Sequence, residues 1–299
     1  MTLRPDELLL RSHRLDRPSG ELVHVSPERA GWSYAGLAVR RLADGETWER
    51  PAGPDEVALV PLGGRCRVEA LGRQWRLGER PNVFAGQPWA LYLPTQTGFQ
   101  VTADGPLDLA VCSARAEERH EPVLIEPGGF AVEIRGAGNA ARHSNHILPP
   151  AFSAHRLLVV EVFTPSGNWS SYPPHKHDTS DPPREAALEE IAYHRFNPSS
   201  GFGFQRLHTA DDRLDVTWVI RDGDLLLVPE GYHTFVAAHG YTAYSLNVLA
   251  GNEAVRTLQP SDDPDHGWVR GTWDPAMTEG LTSWRDIDAH VNGGAGRRR

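Results

Sequence analysis

Glycine and proline interrupt this chain so often that no long helix fits between them. The 299 residues hold 29 glycines and 24 prolines, and these fall between short apolar runs rather than in one low-complexity block. Gly weakens a helix interior and Pro removes a backbone donor, so such punctuation favours short strands joined by turns. Runs of strand character recur at 56–61, 65–70, 89–93, 107–112, 130–135 and 157–164, and again at 191–196, 203–208, 215–220, 224–228 and 242–249. Helical signals are confined to a turn at Pro27–Ala30 and to short segments at 253–258 and 282–291. The expected fold class is all-β, a sandwich or barrel.

Segment 136–150 is rich in Gly, Asn, Ala and Pro and has little periodicity. It predicts a boundary between units at 1–145 and 146–275, followed by a terminal segment, 276–299, whose end (292–299, NGGAGRRR) reads as disordered. The halves share an order of features. Ala90-Leu-Tyr-Leu-Pro94 and Leu225-Leu-Leu-Val-Pro229 are both apolar strands ending in Pro, the pattern a duplication leaves. Lys and Arg number 30 against 39 Asp and Glu, a net charge of −9, which repels phosphate backbones and excludes a dedicated nucleic-acid binder. No run approaches the roughly 18 apolar residues of a membrane span, and Asp6 and Glu7 break the apolar stretch an export signal needs. Only Cys66 and Cys112 occur, which excludes a disulfide scaffold and a Cys-based zinc module. A cytoplasmic globular protein is expected.

Chemistry concentrates after residue 165. In an extended Tyr172-Pro-Pro-His-Lys-His-Asp178, His175 and His177 project to one face and Lys176 and Asp178 to the other. Two imidazoles on one face can ligate one first-row metal. Glu190, Ala192 and His194 then share one face of a strand, with Ile191 and Tyr193 on the other. A buried carboxylate there needs a partner or a metal. Gly223-Asp224 signals a tight turn, 225–228 a buried strand, and Pro229-Glu-Gly231 turns the chain so that His233 faces inward. Three histidines and one carboxylate leave coordination positions open, as a reactive metal site requires.

His-x-His, a later Glu, and Gly-x₅-Pro-x-Gly with a closing His and a further Asn (Asn247) resemble the two-part cupin motif. The interval between His-x-His and Glu is stretched by 179–189, which leaves Glu189 as an alternative to Glu190. The second motif also ends one residue short. Longer words, Gly167-Asn-Trp-Ser-Ser-Tyr-Pro-Pro-His-Lys-His-Asp178, Leu188-Glu-Glu-Ile-Ala-Tyr-His194, Gly201-Phe-Gly-Phe-Gln-Arg-Leu-His208, Pro229-Glu-Gly-Tyr-His233 and Ala243-Tyr-Ser-Leu-Asn-Val-Leu-Ala-Gly251, resemble the 5-deoxy-glucuronate isomerase family of myo-inositol catabolism. That resemblance implies a bicupin with its metal in the second cupin, bound by His175, His177, Glu190 and His233. No His occurs between His24 and His120, so the first cupin is expected to lack a metal.

The resemblance further implies conversion of an aldose acid, 5-deoxy-glucuronate, into 5-dehydro-2-deoxy-gluconate; a metal-stabilised enediolate with proton transfer is the expected route, and a hydride shift between the same carbons is its rival. One divalent ion per chain, Mn, Fe, Zn or Ni, is the expected cofactor. Glu190, His194 and Lys176 are the candidates for proton transfer. Arg206 is the candidate for the substrate carboxylate, and Tyr193, Tyr232 and Asn247 are further candidate contacts. The expected partner is a small sugar acid, without nucleic acid or membrane, and with room for a homo-oligomer. An iron-dependent cupin dioxygenase and a non-catalytic sugar-binding cupin are the competing classes. The latter would usually carry a basic DNA-reading helix, and none is evident.

Overall fold

Alternation shapes the strands of the first half: Cys66–Ala70 (CRVEA) runs buried, exposed, buried, exposed, buried, as a strand with one solvated face must. Leu225–Val228 (LLLV) is buried throughout, because it is covered on both faces. The computed structural model describes residues 4–12, 19–253 and 255–292. Among these, antiparallel strands form four sheets arranged as two successive sandwiches, each of one larger and one smaller sheet. No helix among the described residues is long and apolar enough to cross a membrane.

In the first half, Asp55–Gly63, Leu107–Arg115 and Ala35–Leu42 centre a six-stranded sheet that faces the four-stranded sheet of Thr47–Arg50, Phe99–Ala103, Cys66–Ala70 and Arg73–Leu77. In the second, Leu188–Asn197, Thr242–Gly251 and Leu158–Thr164 centre a seven-stranded sheet. Its five-stranded partner holds Phe202–His208, Tyr232–Ala237 and Trp169–Lys176. The two larger sheets share one core: Leu37, Val60 and Ala110 of the first half cluster with Val159, Ile191, Tyr193 and Leu246 of the second. Within it lies a buried ion pair, Arg80 Nη2 to Glu161 Oε1 at 2.5 Å, with the Tyr244 hydroxyl donating to the same oxygen at 2.9 Å.

Strand registers superpose the halves residue by residue. Val57 lies opposite Leu93 and Ser113, and Glu190 opposite Val228 and Leu249. Pro94 then matches Pro229. Two residues on, Gln96 and Gly231 both have left-handed φ, 60° and 86°. The same registers align 33–35 with 155–157, and each half grips the other there. Glu56 accepts the N–H groups of His155, Arg156 and Leu157 at 2.8, 2.6 and 2.7 Å. Glu189 accepts those of Ser33, Tyr34 and Ala35 at 2.7, 2.9 and 2.7 Å. Glu189, thus engaged, faces away from the inner cavity of its sandwich.

Several local expectations change. Segment 136–150 contains the strand Arg142–Leu148, which pairs with both Ala131–Arg135 and Leu158–Thr164. The boundary read at 145/146 therefore falls inside a strand, and Ala131–Arg135 already belongs to the second half's sheet. Leu9–Leu10 also crosses over, pairing with Leu225–Val228. No helix forms among the described residues of 253–258, whereas Pro27–Ala30 and Trp284–Val291 are helical. The tail read as disordered lies outside the described residues from 293 onward.

Candidate metal centre

Trp169–Lys176 pairs with Tyr232–Ala237 so that His175 stands directly opposite His233, their ring centroids 4.6 Å apart. Gly231 makes this possible. Its φ is 86°, and a Cβ there would lie 2.6 Å from the His208 carbonyl oxygen, so only glycine turns the chain tightly enough to send His233 inward. From the facing sheet, Leu188–Asn197 brings Glu190. His177 follows the end of its strand and is clipped to the next one: its carbonyl accepts the Leu188 N–H at 2.7 Å, and its Nδ1–H donates to the Leu188 carbonyl at 3.0 Å. With Nδ1 so engaged, Nε2 is the nitrogen turned toward Glu190, and it becomes available to a metal on losing its proton.

The donor atoms of His177, Glu190 and His233 all lie within 4.8 Å of one another. His177 Nε2 is 2.7 Å and His233 Nε2 is 3.5 Å from Glu190 Oε2. His175 borders the same cavity as His177 and Glu190, with its Nδ1 turned to the Pro173 carbonyl at 3.3 Å. His233 is only 2% exposed, yet neither ring nitrogen has a hydrogen-bond partner. Such orphaned polar atoms are rare in native interiors, and a cation would satisfy the ring nitrogen that carries the lone pair. Burial keeps the His175 ring neutral and draws His233 down to about 4. Burial alone would raise the Glu190 carboxyl, but the His177 hydrogen bond and the neighbouring cationic groups bring it to about 2. Two rings held neutral beside an ionised carboxylate suit a divalent first-row ion.

The other candidate residues divide. Asn247 lines the same cavity, a space of about 90 Å³. Lys176 points to the other side of its strand, where Nζ reaches Asp178 Oδ1 at 2.7 Å and Glu185 Oε1 at 2.8 Å. It folds back the long loop between the two ligand groups, while Asp178 Oδ2 accepts the Gly231 N–H at 2.6 Å. Tyr232 borders an outer groove with Lys176 and Trp32. Tyr193 is fully buried in the core between the halves. His194 shares the face of Glu190, but four residues farther along, roughly 13 Å of strand. It stacks on Phe235 outside the cavity lining.

Arg206 faces outward, correcting the expected inward orientation. Gly203, Gln205 and Leu207 are buried on the opposite face of that strand, and the Arg206 guanidinium forks onto Asp215 at 2.8 and 2.9 Å with 41% of its side chain exposed. The face parity of this half-polar strand could not be read from alternation alone.

Sequence reasoning missed one wall of the cavity. Arg142, Ser144 and His146 alternate inward from Arg142–Leu148, beside Glu133 and Arg135 of the adjacent strand. The signal was Arg-x-Ser-x-His at period two, in a segment read as linker because its inward face is polar. His146 Nε2 lies 3.0 Å from Glu133 Oε2, and the Glu133 carboxyl is held below its ordinary value, first by that hydrogen bond.

Residues 8–269 match the KduI/IolB family. The 5-deoxy-glucuronate isomerase of Geobacillus kaustophilus is 44% identical over 264 residues, 88% of this chain and 95% of that protein. Its counterpart from Geobacillus thermodenitrificans is 46% identical over 252 residues, 84% of this chain and 91% of that protein. The crystal structure of an IolB-like protein from Salmonella typhimurium LT2 superposes with a TM-score of 0.84 at 40% identity, covering 88% of this chain and 99% of that one. An oxalate decarboxylase variant from Bacillus subtilis superposes at 0.57 with 12% identity, over 83% of this chain and 78% of that one, a likeness of fold alone.

Proposed function

The chain belongs to the KduI/IolB family and has a two-cupin fold, and from that premise we propose that it is a 5-deoxy-glucuronate isomerase. It interconverts the aldose acid and its keto isomer, 5-dehydro-2-deoxy-gluconate, in inositol catabolism. The observation that carries this reading is the buried group of His177, Glu190 and His233, next to a cavity walled by His175, Asn247 and a His–Glu pair. His175, His177, Glu190 and His233 hold one divalent first-row ion. When bound, that ion supplies Lewis acidity toward a carbonyl and its neighbouring hydroxyl.

The remaining work falls to the chain's own groups. Moving a hydrogen between adjacent carbons needs one group that takes a proton from one and returns it to the other. His146 suits this role. With Nε2–H donated to Glu133 Oε2, Nδ1 carries the free lone pair, and the carboxylate stabilises the ring once protonated. Asn247, held by the Ser245 hydroxyl, orients a substrate oxygen. A cytoplasmic location accords with two buried free cysteines.

Parallel incubations with 5-deoxy-glucuronate under nitrogen and in air with an oxygen electrode, each followed by NMR, test the reading. Ketose should form without oxygen consumption, stop on chelation, and resume on adding a divalent ion. Oxygen uptake without ketose would replace an isomerase with an oxygenase.

A further inference from the structure

Arg135 and Arg142 stand directly opposite each other across two antiparallel strands. Both line the cavity that contains His175, His177 and Glu190. Like charges at facing strand positions repel and destabilise a sheet. Elsewhere the fold neutralises such cations. Arg80 has Glu161, Arg41 has Asp108 and Arg195 has Asp222, each with a contact between 2.5 and 2.9 Å. Among the described residues no carboxylate lies within 4.0 Å of Arg135 or Arg142. Arg142 Nη1 donates only to the Ser170 and Ser171 hydroxyls, at 3.2 and 3.3 Å. Neutral oxygens orient a guanidinium but leave its charge uncompensated. The nearby carboxylates are engaged: Glu133 with His146 and Glu190 with His177. Burial, with the charge of Arg135, brings the Arg142 guanidinium down to about 10, against the opposing pull of the Glu133 and Glu190 charges.

We propose that Arg142, backed by Arg135, is the carboxylate clamp of the cavity, binding the acidic end of an acyclic sugar acid while its carbonyl end faces the histidine cluster. This rests on the isomerase reading and extends it to substrate orientation. The serines hold the guanidinium plane, so a two-point fork onto a carboxylate forms with little further ordering. A neutral aldose of the same length would leave two facing cations unpaired, so the cavity discriminates for acids. Arg206, exposed and satisfied by Asp215, has no such vacancy.

The test uses the metal-loaded, full-length protein with Arg142→Ala, Arg142→Lys and Arg135→Ala. Steady-state kinetics on 5-deoxy-glucuronate are combined with calorimetric binding of gluconate and of its neutral counterpart, glucitol. Arg142→Ala should raise KM and weaken gluconate about ten-fold or more, with kcat within a few-fold, metal content unchanged and glucitol binding unaltered. Arg142→Lys should recover part of the loss, because an ammonium keeps the charge without the fork. Arg135→Ala should cost about three- to five-fold, as expected of a more distant charge. Unchanged KM and gluconate affinity in a folded Arg142→Ala or Arg142→Lys overturns the clamp. If the wild type binds gluconate through Arg142 yet forms no ketose, the clamp stands and the isomerase reading fails.

Discussion

Between the sheets of the first half, Val57, Leu59, Val68, Leu91, Phe99 and Val101 close into one apolar core. In the second half the matching space holds His177, Glu190 and His233, with a small cluster around Phe196 and Phe235 to one side and another around Leu158 and Leu249. The strand registers put Val57 where Glu190 stands. The comparison separates fold from chemistry. The same strand order accepts either filling, but a buried carboxylate costs several kcal/mol unless partnered. The second half therefore depends on packing elsewhere, and the outer faces of the two larger sheets, buried against each other, supply it. The paired grips of Glu56 and Glu189 fasten that arrangement from both sides.

Making the second half resemble the first should have the largest effect. Glu190→Val should lower turnover by on the order of a hundredfold or more, with loss of bound metal. The metal-free protein should also lose roughly 1–3 kcal/mol, because the buried His177 ring is left without the carboxylate it faces. Turnover and metal retained in this variant would break the comparison.

The grips come next. Glu56→Ala and Glu189→Ala each strand three backbone donors and should each cost about 3–4 kcal/mol in urea unfolding. Glu56→Ala should lose about 1 kcal/mol more than Glu189→Ala, because Glu56 also accepts the buried Tyr92 hydroxyl at 2.7 Å. A large loss at one and none at the other would mean that the pseudo-symmetry has no energetic counterpart.

The smallest effect is acid sensitivity. Burial draws the His194 ring down to about 4, against roughly 6.5 in an unfolded chain. The unfolded state then binds more protons between those values, so the stability present above about pH 6.5 is lost as pH falls toward 4, by roughly 3 kcal/mol. Among the described residues the first half's interior contains no such ring. His194→Phe should flatten this limb of the stability profile, and an unaltered limb would place the acid sensitivity elsewhere.

Much of the second half was legible because its motifs are contiguous: His-x-His, Glu190 and Pro-x-Gly-x-His each lie within a few residues, and strand parity then orders their side chains. The cavity's other wall was not. Arg142–Leu148 presents Arg, Ser and His inward, so it carries no apolar alternation and resembles a linker. Arg206 failed for the opposite reason, since its strand offers comparable residues on both faces and only the fold sets which is inner. Lys176 beside two ligands looked reactive, although its partners, Asp178 and Glu185, hold the loop that separates His177 from Glu190.

Metal analysis of the intact chain tests the division of labour most directly. The expected result is one divalent ion per chain in the wild type and almost none in the His175→Ala/His177→Ala double variant, with the first half still folded. Two ions per chain, or full metal retention in the double variant, would contradict a single centre built on the second half.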